Sequence, residues 1–123
     1  MGARKDSAVS FLRLAANGHA REAYANYVAP GFRHHNPYFP ADAQSLFAAM
    51  DDNARQNPDK TLDVQRALED GDIVAIHSHL RMKPGDRGMS VVHIFRFEGE
   101  RIVELWDLAM AVPAESPNVN GMF

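Results

Sequence analysis

Two alternating runs, Met89–Phe97 and Ile102–Ala111, constrain this chain more than any other feature. Separated by a short Gly-containing segment, they read as an antiparallel hairpin. The second strand carries a carboxylate among apolar residues. Side chains alternate along a strand, so Val103, Leu105, Asp107 and Ala109 share one face, and Ile102, Glu104, Trp106 and Leu108 the other. A charge on an otherwise apolar face has to be paired, neutralised or used. Asp107 is therefore the first candidate for chemistry.

Matching cross-strand neighbours by character gives a register. With Phe97 opposite Val103, Phe95 meets Leu105, Arg96 meets Glu104, and His93 meets Asp107. A shift of one residue would set Arg96 against Val103 and Phe95 against Glu104. The favoured register puts His93 and Asp107 on one face with Val91, Phe95 and Phe97. The strand Ile73–Met82 offers Val74, Ile76, Ser78, Leu80 and Met82 to that same face. His77 and His79 then lie on the reverse side with Val92, Ile94, Trp106 and Leu108. That second face is too apolar for open water, and the helices suffice for only one. A homodimer through the outer sheet face, at His77, His79 and Trp106, is the expectation.

Upstream, Val9, Leu12 and Ala16 at helical spacing predict a helix over about 7–17, stopped by Gly18. A second helix is predicted over 19–28, broken at Pro30-Gly31, and a third from an Asp42 N-cap to Gln56. Phe32–Pro40 reads as a loop or short extended piece. Strands follow from Thr61 onward. Helices followed by an antiparallel meander indicate an α+β fold with the helices on one face of a curved sheet. The 123 residues read as a single domain, 1–123, with 112–123 as an irregular tail. A formal net charge of -3 gives no reason to expect nucleic acid or an anionic membrane as partner. No apolar run approaches a membrane span, and Arg4-Lys5 is not followed by a signal-type apolar stretch. The chain has no cysteine, which removes disulfides and thiol chemistry. Cytoplasm is the default compartment.

The segment His35-Asn36-Pro37 and the run from His93 to Asp107, HIFRFEGERIVELWD, resemble the SnoaL-like polyketide cyclase family over nearly the whole chain. That family belongs to the nuclear transport factor 2-like superfamily, with ketosteroid isomerase, scytalone dehydratase and limonene epoxide hydrolase. The resemblance implies a cone-shaped curved sheet wrapped around N-terminal helices, a deep apolar pocket, and a dimer through the sheet. It also implies that Asp107 is an acid/base, that His35-Asn36-Pro37 is the family's corresponding segment, and that neither metal nor cofactor is needed. Leu105 stands where cyclase relatives often carry His or Arg, which removes one polar group from the expected site.

Each candidate has a functional and a structural reading. Asp107 is a competent acid/base for proton transfer next to a carbonyl, or a strand-end carboxylate held by backbone N–H groups or an arginine. His93 orients Asp107 or polarises a substrate oxygen, or it is the partner that makes a core aspartate tolerable. His35 and Asn36 cap a pocket mouth, or Asn36 makes a local turn before Pro37. Phe39 and Phe95 are the aromatic candidates for ligand contact. His77 and His79 have a metal-like spacing, but a third ligand such as His93 falls on the opposite face, so no metal is expected. Two functions stay open: a cofactor-free acid/base enzyme on a small apolar oxygenated molecule, or a non-catalytic binder or scaffold dimer. An Asp107 that is open to a cavity and touches His93 favours the first. Saturation by backbone donors, with Met110 or the tail filling the pocket, favours the second.

Overall fold

The computed structural model describes residues 2–123. Helix α1 (Ala3–Ala16) buries Ala8, Phe11, Leu12 and Ala15, the i, i+3, i+4, i+7 stripe of a helix packed on one side. The stripe keeps the expected Leu12 but runs through Ala8 and Ala15 rather than Val9 and Ala16. Helix α2 (Ala20–Tyr27) packs on it through Ala20 and Ala23. Helix α3 (Ala43–Gln56) is capped as its sequence predicts: the Asp42 carboxylate accepts from Ser45 N at 2.8 Å.

Five strands follow or interleave: β1 (Val28–His34), β2 (Thr61–Asp70), β3 (Ile73–Arg81), β4 (Met89–Glu98) and β5 (Arg101–Ala111). They form one curved, unclosed sheet in the order β1-β5-β4-β3-β2. The meander β2 to β5 is antiparallel, as expected, and β1 adds a parallel edge beside β5. This strand lies where the sequence suggested a helix break and a loop. Pro30 and Gly31 punctuate it, and the pairing to β5 slips between Val28 and Arg33. Among the described residues no helix is long and apolar enough to cross a membrane.

The core lies between α1 and the concave face of the sheet. Phe11 meets Phe95 edge-on, with ring centroids 5.8 Å apart, and Val74, Ile76, Phe97, Ile102 and Leu105 close around them. Phe95 was expected to touch ligand. It is instead fully buried in this core, and its ring belongs to the packing rather than to a cavity wall.

The closing hairpin departs from the expected register at one place. Glu98 pairs with Arg101 and Phe97 with Ile102, not Val103, while Arg96 pairs with Glu104 and His93 with Asp107. Val103 is thus the extra residue of a β-bulge. The turn explains it: Gly99 has φ 58°, and a two-residue Gly99-Glu100 loop with Gly first is the type II′ pattern. Both Ile102 and Leu105 face inward as a result, so the assignment of Ile102 to the outer face is corrected. Without the bulge, Ile102 inward would put Trp106 inward too and turn Asp107 to the outside. One inserted residue therefore decides which side of the sheet carries the carboxylate.

Candidate active site

An open cavity of about 530 Å³ lies between α3 and the inner face of the sheet. Leu46, Ala49, Met50, Asn53 and Gln56 of α3 form one wall; Leu80 of β3, His93 of β4 and Asp107 of β5 form the other. Asn36 and Phe39, from the segment after β1, and Lys60, just before β2, close the ends. The cavity is apolar on most of its surface, and its polar lining comprises Asn36, Asp52, Asn53, Gln56, Lys60, His93 and Asp107.

The Asp107 carboxylate accepts one side-chain hydrogen bond, from Asn36 Nδ2 to Oδ2 at 3.0 Å. Among the described residues no backbone donor or arginine holds it. Asn36 is itself fixed by the chain around it. Its Oδ1 accepts from Tyr38 N at 3.0 Å, an Asx turn that settles the amide orientation and leaves the NH2 group for Asp107. The turn and the site contact, which the sequence left as alternatives, coexist in one side chain. His34 adds a second restraint: its Nε2 donates to Pro40 O at 2.7 Å, and its Nδ1 accepts from Asn36 N at 3.1 Å. That pair of bonds fixes the tautomer and staples the 35–40 segment to the sheet edge. Among the expected site residues His34 was missing, because its role depends on β1 being a strand.

His35 does not join Asn36 at the cavity. Continuing β1, alternation turns Phe32, His34 and Asn36 inward and Arg33 and His35 outward. His35 stacks on Trp106, with ring centroids 4.9 Å apart and planes 5° from parallel. Its Nε2 meets Glu104 Oε2 at 2.6 Å. The expected substrate contact at His35 is thereby corrected to a contact on the outer face. Glu104, only 8% exposed, also accepts from Arg96 Nε at 3.0 Å. The His35 bond first, then Arg96 and the charge of Arg33, hold its carboxyl below the usual range.

His93 stands directly opposite Asp107 in the β4–β5 ladder, yet the two side chains are not hydrogen-bonded to one another. Its Nδ1 is buried without a partner among the described residues. Burial pushes the imidazole down to about 4, against the pull of the Asp107 charge and with the push of Lys60. His93 is therefore neutral at pH 7, and it lines the cavity with both a carboxylate and an ammonium. Tyr24, packed edge-on to Phe32 and Phe47, has its phenol pushed well up by burial and by Asp107. It stays protonated and donates to Met50 Sδ at 3.7 Å.

The outer-face histidines have local partners. His77 Nε2 meets Ser90 Oγ at 2.7 Å and its Nδ1 lies against Arg66; His79 Nε2 donates to Arg87 O at 2.7 Å. Phe123 of the tail stacks on His79 at 4.0 Å. Among the described residues, no group of three His, Asp or Glu side chains is placed to hold a metal ion.

A sequence profile of the SnoaL-like domain matches residues 8–105. No curated protein matches the chain. Among solved structures, a loop-truncation variant of IdmH is similar at 24% identity and TM-score 0.71, over 86% of this chain and 91% of that one. A proposed polyketide cyclase from Acidithiobacillus ferrooxidans is similar at 22% identity and TM-score 0.68, over 87% of each chain. A proposed isomerase of the SnoaL-like family from Agrobacterium tumefaciens reaches TM-score 0.72 at 14% identity, over 88% of this chain and 98% of that one. At these identities the structural likenesses speak for the fold alone.

Proposed function

The chain belongs to the SnoaL-like domain family, and from that premise we propose that it is a cofactor-free acid/base enzyme acting on a small apolar oxygenated molecule. Asp107 is the base. The observation that carries this reading is the state of its carboxylate: it lines the cavity and is held by a single amide. Asn36 occupies Oδ2, which leaves Oδ1 free to take a proton from a carbon beside a carbonyl. Developing charge on the carbonyl oxygen is met by the neutral imidazole of His93, donating from Nε2, since Nδ1 is enclosed. The proton then returns from Asp107 to a different atom of the substrate. Delivery to another carbon is an isomerisation; delivery to a leaving hydroxyl is a dehydration. When the enolate carbon first attacks a second carbonyl, delivery to the new alkoxide completes a cyclisation.

The scaffold reading required backbone donors on Asp107 and a cavity filled by Met110 or the tail. Met110 is 66% exposed, and Phe123 lies on the outer face, so neither occupies the space beside Asp107. The test is α-proton exchange of an apolar ketone, 2-tetralone, in D2O, followed by NMR in the wild type and in Asp107→Asn.

A further inference from the structure

Lys60 is the cavity group that the acid/base reading does not use. Its backbone is fixed by the turn after α3, where Lys60 N donates to Asn57 O at 3.0 Å. Its side chain reaches the wall shared by the main cavity and a smaller neighbouring one of about 80 Å³, a wall that also carries His93, Met50 and Leu80. The ammonium donates to Asn53 Oδ1, a neutral acceptor. Among the described residues it forms no ion pair. Asp52, the α3 carboxylate that lines the cavity, is paired with Arg55. Burial lowers the Lys60 ammonium from its ordinary value, the direction of a charge that has lost water without gaining a counter-ion.

Half-buried charges are ordinarily paired, and this one faces a mostly apolar cavity whose polar lining beyond the reacting groups is Asn53, Gln56 and the Arg55-paired Asp52. We propose that Lys60 binds the carboxylate of the substrate, which makes the substrate class an apolar oxo-carboxylic acid. The proposal rests on the cavity being the ligand site. It orders the ligand along the cavity: the carboxylate at Lys60 and Asn53, the carbonyl oxygen at His93, and the acidic carbon at Asp107. His93 pairs with Asp107 across the β4–β5 ladder and shares with Lys60 the wall of both cavities, so it neighbours each end of that line. The apolar body of the ligand lies against Leu46, Ala49, Met50 and Leu80. A charge-assisted hydrogen bond in a partly desolvated site is the strongest single contact available to such a ligand.

The test uses a matched pair of probes, 2-naphthoate and its neutral isostere 2-naphthamide, titrated calorimetrically. The wild type is expected to prefer the carboxylate by about tenfold or more, the scale of a charge-assisted bond. Lys60→Met should erase the preference while keeping affinity for the amide. Lys60→Arg, which preserves charge and guards against a merely misfolded Met variant, should keep it. An unchanged preference in Lys60→Met, or equal binding of both probes by the wild type, overturns the role of Lys60 and leaves the cavity reading intact. Binding of neither probe overturns both.

Discussion

Asn36 Nδ2 donates to Asp107 Oδ2 at 3.0 Å, a bond that joins residues 71 positions apart. Each partner reaches it through a local device. The Asx turn to Tyr38 N aims the amide, and the Val103 bulge turns the carboxylate to the inner face. Pre-set orientation of this kind is what an acid/base residue needs, because the ordering cost is met during folding rather than at each turnover.

Asn36→Ala should therefore reduce 2-tetralone exchange by about tenfold, the effect of losing one well-placed hydrogen bond. Affinity for 2-naphthamide should stay within about twofold, because the amide of Asn36 orients the base rather than holding the ligand. Equal losses in both assays would assign Asn36 to binding instead.

Stability should fall with acid in a window set by His93. Its folded pKa, about 4, lies below the ordinary 6.5, so the unfolded chain takes up the proton first as pH drops. The contribution is whole above about pH 6.5, is lost between there and about pH 4, and amounts to an order of 3 kcal/mol. His93→Gln should flatten the slope of unfolding free energy between pH 7 and 5. It should not abolish it, since His77 is shifted in the same direction. Below that window Glu104 takes over. Its carboxyl is held low, so its contribution is present above the carboxylate range and is lost as pH falls through it. A pH-independent stability from 7 to 5 in the wild type would contradict the burial of His93.

Ser78 is fully buried on the same inner face, and its hydroxyl has no partner among the described residues. Ser78→Ala should leave stability unchanged or raise it by up to about 1 kcal/mol, because deleting an unsatisfied hydroxyl removes a desolvation cost. A loss of more than about 1 kcal/mol in denaturant titration would mean that the hydroxyl is bonded in solution.

The outer sheet face remains our proposed homodimer surface. Leu108 is 67% exposed on it, whereas Trp106 is already half covered by His35 of the same chain. The anchor therefore passes from Trp106 to Leu108. Sedimentation should find a dimer, and Leu108→Glu should give a folded monomer. A wild-type monomer at micromolar concentration would refute the surface.

Much of this was legible in the chain because the informative contacts are local. Residues 93–107 pair across a two-residue turn, and character matching alone set His93 against Asp107. The same local logic placed Asp42 as a cap and His77 and His79 on the reverse face. What escaped depends on partners distant in sequence. β1 forms only against β5, some 70 residues away, so nothing near Pro30-Gly31 announces a strand. Missing it hid the alternation that sends His35 outward and His34 and Asn36 inward. The bulge did leave a signal. Gly99 suits the first position of a two-residue turn, which would have paired Phe97 with Ile102 from the start. Lys60 left none, since its place in the cavity depends on how α3 ends against the sheet.

The most direct measurement is the rate of α-proton exchange of 2-tetralone in D2O with the wild type and with Asp107→Asn. The amide keeps the shape and the bond to Asn36 but cannot take a proton. With Asp107 as the base, Asp107→Asn lowers the enzyme-dependent rate by about 100-fold or more, the scale of general acid/base catalysis, with 2-naphthamide binding retained. A variant that exchanges the ketone as fast as the wild type would contradict Asp107 as the base.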